Sequence, residues 1–155
     1  MAKLITTDQI QYWMRAGASF VRVTENNAFN PTTDLTTYDP TYKDRVNQPS
    51  YVTGKKTTIE MDIDLIDPGP LQTWLMENED AVNVPTEIVR VMMFKAATPP
   101  STGFEAKRAA FTLTQNPIDG SAGEAAKATG TLSMTSDGWT ASTFNPTTAT
   151  FTPKP

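Results

Sequence analysis

Histidine and cysteine are both missing from this chain, which removes the commonest general base, the thiol nucleophile and the main transition-metal ligands. No disulfide can form, so the sequence predicts folding in a reducing compartment, a cytoplasm, on core packing alone. No glycine-rich phosphate cradle precedes a helix. Basic charge is thin: 13 Lys and Arg stand against 17 Asp and Glu, for a net charge of −4. The cations are scattered rather than gathered into the stripe a phosphate backbone requires, which argues against tight nucleic-acid binding. Long apolar runs are also lacking. None approaches a membrane span, and MAKLITTDQI has no apolar centre of the kind a secretory signal needs.

What is present leans to β structure. At 155 residues the length predicts one domain, and short alternating runs separated by Pro- and Gly-rich turns predict an antiparallel sheet rather than βαβ units. The organising stretch is 55–76, KKTTIEMDIDLIDPGPLQTWLM. Thr57, Ile59, Met61, Ile63 and Leu65 alternate with Thr58, Glu60, Asp62 and Asp64, the two-residue period of a pleated strand. Burying an aliphatic side chain is worth roughly 1.5–3 kcal/mol, so the register is fixed. The opposite row of carboxylates has to be wet or paired, because neighbours about 7 Å apart repel. Asp67 through Pro70 stops the strand, with Asp67 as a cap and Pro68 or Pro70 near N1. A helix follows, carrying Leu71, Trp74 and Leu75 on one stripe and ending by Asn78–Asp80.

Before it, Thr6 and Gln9 form a capping-box pattern ahead of Ile10, Trp13 and Met14, and with Gly17 as C′ residue they predict a short N-terminal helix. Residues 18–24 read as the first strand. From 26 to 54 no period is sustained, and roughly thirty residues is long for a loop. Two readings of it stand: an Ω-loop or extra hairpin folded back on its own domain, or a protein-binding arm whose contacts are Phe29, Leu35, Tyr38, Tyr42, Lys43, Arg45 and Tyr51. Further strands are predicted at 86–95, apolar on both faces, at 104–115 and at 124–135. Asp137-Gly138 predicts a type I′ hairpin returning through Trp139–Phe144. The Thr- and Pro-rich tail at 145–155 is expected to be extended or mobile. Glu60, Asp62 and Asp64 line up along one strand instead of converging from different elements, so no catalytic pair, metal site or cofactor site is predicted.

In this order, the long early loop, alternating strand, short helix and the run NPIDGSAGEAAKATGTLSMTSDGW resemble the tail tube proteins, or major tail proteins, of long-tailed bacteriophages. The likeness spans Ala18 to Phe144. It is carried best by Gly120, Gly123 and Glu124, the strand ending at Met134, and Asp137-Gly138-Trp139. Related tubes occur in type VI secretion and contractile injection machines. The resemblance implies a mainly β fold: an antiparallel β-sandwich or half-barrel over 1–144, with one short helix after the central strand. It also implies a virion tail component assembled in the host cytoplasm, built as hexameric rings stacked into a tube through which DNA passes without tight binding. Initiator, terminator and tape-measure proteins would be its partners. The inner wall of such a tube would take Glu60, Asp62 and Asp64, and the long loop would reach the neighbouring ring. A rival reading is a carbohydrate-binding β-sandwich with Trp13, Trp74 and Trp139 as stacking platforms. The helical spacing of two of those tryptophans counts against it.

Overall fold

The alternation at 57–65 becomes β4, Tyr51–Asp64. Thr57, Ile59, Met61 and Ile63 are buried on one side, while Glu60 is exposed and Asp62 and Asp64 half-exposed on the other. The structure, a computed structural model, describes residues 2–24, 26–66, 69–97 and 103–153, so the caps expected at Asp67 and Pro68 lie outside the described residues. The helix forms where the spacing places it, as α1, Pro70–Glu77, with Gly69 at its N-cap and Pro70 at its first turn. It stops because Asn78 bonds back, Nδ2 donating to the Trp74 carbonyl at 2.8 Å.

Among the described residues, nine strands make one antiparallel sheet that does not close into a barrel. They are β1 Ile10–Ala16, β2 Ser19–Arg22, β3 Asn26–Tyr38, β4, β5 Val84–Ala96, β6 Phe104–Gln115, β7 Lys127–Met134, β8 Thr140–Asn145 and β9 Thr150–Pro153. The main path runs β2-β1-β5-β6-β7-β4-β3, and β8 pairs with β6 and β9. Successive side chains point to opposite faces, and both faces of the middle are covered. Met14, Ile59, Ile63, Leu71, Leu75, Ile88, Phe111 and Leu132 pack on the helix side. Val89, Val91, Ala106 and Phe144 pack on the other, against Trp13, Phe20 and Phe151. This is why β5 reads as apolar at nearly every position.

Three expectations are corrected. The N-terminal helix is a single 3-10 turn, Thr7–Gln9, in which Gln9 Oε1 accepts from the Thr6 N–H at 3.1 Å; Ile10, Trp13 and Met14 lie on strand β1. Their helical spacing is coincidental: Met14 serves one core and Trp13 the other, so β1 needs no alternation. Gly17, at φ +75°, makes the two-residue turn of the β1–β2 hairpin instead of ending a helix. Second, the stretch 26–54 expected as a loop is mostly β3 and the start of β4, paired from Asn26↔Ile63 to Tyr38↔Tyr51; it is a hairpin, but its outer half does not fold back on the domain. Pro31 is tolerated because β3 is an edge strand.

Third, β7 and β8 are not a hairpin. Met134 sits opposite Phe111, and Thr140 opposite Arg108 on the same edge of β6. The stretch 135–139 therefore bulges out and β8 carries on along β6. Gly138 takes φ +98° while Asp137 does not take a positive φ, and a type I′ turn requires both. The tail is extended at 150–153, where β9 pairs with β8.

Candidate assembly surfaces

The acidic row belongs to a four-stranded face on the side of the sheet away from the helix. Register places Thr112 and Thr114 of β6 beside Ser133 and Thr131 of β7, then Thr58, Glu60, Asp62 and Asp64 of β4, then Thr32 and Asn30 of β3. It is a surface of hydroxyls and carboxylates. Lys127 faces Asp64 across the β4–β7 pair. On the other side, Asn27 is the extra residue of a bulge between Asn26 and Ala28, and its Nδ2 donates to Asp64 Oδ1 at 2.7 Å and Asp62 Oδ1 at 3.3 Å. The row is thus both wet and partly paired. Sequence reasoning missed Asn27 because a bulge has no periodic signature.

Above β7, β3 and β4 leave the sheet as a two-stranded arm. β4 pairs with β7 only between Thr58 and Asp64, whereas β3 and β4 stay paired up to Tyr38 and Tyr51. Of the residues expected at an interface, Leu35, Tyr38, Tyr42, Lys43, Arg45 and Tyr51 are exposed on this arm. Phe29 is not: it is 3% exposed and packs on Tyr12, ring centroids 5.3 Å apart, because it lies in β3 where the sheet is still covered. The arm tip is a built turn. Gln48 Oε1 accepts from the Tyr42 N–H at 2.6 Å, and its Nε2 donates to the carbonyls of Tyr42 and Arg45 at 3.1 and 2.7 Å. Arg45 lies over the Tyr42 ring, 5.6 Å from its centroid.

One ionic cluster ties three strands together in the other half of the sheet. Glu87 of β5 accepts from Arg15 of β1, at 3.2 Å, and from Arg108 of β6. Arg108 also stacks 4.6 Å from the Phe151 ring centroid, which ties β9 down. Burial alone would raise the Glu87 carboxyl, but the hydrogen bonds and charges of Arg108 and Arg15 outweigh it and hold it below its ordinary value.

The three tryptophans of the rival reading are half-buried. Trp13 packs on Phe144 at 5.0 Å and Trp139 on Phe111 at 5.7 Å, and Trp74 packs against the helix-side core. Among the described residues, no three His, Cys, Asp or Glu side chains converge in a way that could hold a metal ion, and no helix is long and apolar enough to cross a membrane.

No family model matches the chain, and no curated protein matches it in sequence. Solved structures do match in fold. A chain from the tail of an empty GTA particle, refined with C6 symmetry, superposes with a TM-score of 0.57 at 11% identity, over 88% of this chain and 97% of the other. A chain from the 6-fold symmetrised baseplate of the anti-feeding prophage superposes with a TM-score of 0.54 at 6% identity, over 88% and 95%. At such identities the likeness is one of fold, and it extends over nearly the whole of each chain.

Proposed function

We propose that this chain is a structural, non-enzymatic subunit of the tail of a phage-like particle, and within it of the tail tube, forming hexameric rings that stack around a bore for the genome. The observation that carries this reading is the extent of the fold match: 88% of the chain is shared with chains of two assemblies built on six-fold symmetry. Three features of the molecule support it. The sheet is open, so β2 and β3 offer edges that a neighbouring copy can continue. The arm gives each copy a reach beyond its own ring. The hydroxyl and carboxylate face suits a bore that must not hold DNA, since a basic wall would release counterions and bind it.

In this reading Glu60, Asp62 and Asp64 line the lumen, and Leu35, Tyr38, Tyr42, Lys43, Arg45 and Tyr51 meet the next ring. Other tail proteins start and cap the tube, and the particle is assembled in the host cytoplasm. Negative-stain imaging of the concentrated protein tests it: six-fold rings or tubes are expected, and a monomer at every concentration overturns it. Replacing Glu60, Asp62 and Asp64 together with Lys should leave the fold intact and slow genome passage in assembled particles. Unchanged passage would remove the lumen assignment.

A further inference from the structure

We propose that the arm tip is a preformed knob anchored by Val46, and that its seat is the Met76–Val82 segment of a second copy. The inference rests on the reading that copies stack, and adds which surfaces meet. Val46 is 99% exposed, yet it stands on a turn closed by all three Gln48 hydrogen bonds. A fully exposed aliphatic side chain on a rigid support is an anchor awaiting a partner, and rigidity lowers the ordering cost of docking. Within the Tyr42–Gln48 turn Lys43 and Arg45 flank it against a single carboxylate, Asp44, with Asp39 standing just before the turn, so the turn itself is net cationic.

The seat has the opposite character and lies at the opposite end. Met76 and Val82 are exposed, Val82 at 68%, and Glu77 and Asp80 are exposed between them. No Lys or Arg occurs from 70 to 89. The segment is fixed rather than loose: the Ala81 carbonyl accepts from Gln115 N at 2.9 Å, and Glu79 Oε1 accepts from Ile118 N at 2.9 Å. Asp80 and Asn83 hold left-handed φ of 59° and 55°, which Asp and Asn adopt more readily than most residues.

Gln115 is level with Met61 across β7, and Tyr51 lies roughly 33 Å up β4 from Met61 at about 3.3 Å per residue. Knob and seat are therefore at opposite ends of the strand axis. A contact between opposite ends is head-to-tail and repeats without closing on a pair, as a stack requires. The rival apolar recess, formed by Leu4, Ile5, Met93 and Phe94, sits at the knob's own end, since Ile10 pairs with Met92. A knob from a stacked copy does not reach it, and Lys3 beside it repels the tip.

The chain lacks cysteine, so paired substitutions read the contact directly. Val46→Cys with Val82→Cys, oxidised under assembly conditions, is expected to give a ladder of covalent multimers on a non-reducing gel, whereas Val46→Cys with Leu4→Cys gives none. Lys43→Glu with Arg45→Glu should raise the protein concentration needed for tubes at least tenfold while rings persist, and adding Glu77→Lys and Asp80→Lys should restore it. Tubes that form without the Val82 ladder, or with a ladder only through Leu4, overturn the seat and leave the tube reading standing. Rings and tubes failing to form from the unaltered protein overturn both.

Discussion

Asn27 holds Asp64 by a 2.7 Å amide hydrogen bond from the bulged position of β3, and the same amide reaches Asp62 at 3.3 Å. One neutral donor thus serves two carboxylates at the end of β4 farthest from the arm tip. Asn27→Asp replaces it with a third carboxylate at the same place. The expected loss is about 1–2 kcal/mol, given exposure and a high effective dielectric. Urea unfolding should show it, and 0.5 M salt should shrink it, because exposed charges are screened. A loss indifferent to salt would mean that the amide bond, not charge, matters.

Glu87→Gln should cost about 1–2 kcal/mol at neutral pH, since Arg15 and Arg108 lose their shared carboxylate. The folded carboxyl is held below its ordinary 4.5, so its contribution is present above that value and lost as pH falls through the folded value. Melting curves of the two proteins should accordingly converge on acidification. A constant gap down to acid would assign the loss to packing.

Gly130 lies so close to β6 that a Cβ there would meet the Thr114 carbonyl oxygen at 2.5 Å. Both are backbone-fixed, so Gly130→Ala has to push β7 off β6. A loss of about 2 kcal/mol or more is expected in denaturant unfolding; a neutral variant would show that the two strands part easily.

What the sequence made legible was what burial on one face dictates. β4 with its oily and acidic rows, α1 with Leu71 and Leu75, and β6 over 104–115 stand where periodicity places them, and so does the acidic row. Two of the misses share a cause. β1 is covered on both faces, the outer half of β3 is covered on neither, and in both cases alternation is not enforced. The fate of Asp137-Gly138 depends on Gly138 alone taking a positive φ, and that is set by β6 accepting β8 on the edge β7 leaves free. Of the arm residues, Phe29 was misplaced because sequence does not say where the sheet ends and the arm begins.

The arm should be ordered before assembly, but less firmly than the sheet. Thr33–Tyr38 pair with one strand, whereas Thr58–Asp64 lie between two, and an isolated two-stranded ribbon is marginal in water. Hydrogen exchange of the subunit should therefore rank the arm amides as faster than those of Thr58–Asp64, with marked slowing on polymerisation. Identical arm protection in subunit and polymer would sink its role in stacking.

The β1–β5 pairing sets an order on how the molecule comes into being. Arg15 meets Glu87 across 72 positions of sequence, so β1 has no central partner until β5 has left the ribosome, while β3 and β4 close on each other locally. Loop-closure entropy makes the local ribbon the cheap first step and the distant pairing the slow one. β8 and β9, arriving last, find the remaining half of β6 already presented. During synthesis, then, the β3–β4 ribbon forms before the core that will carry it.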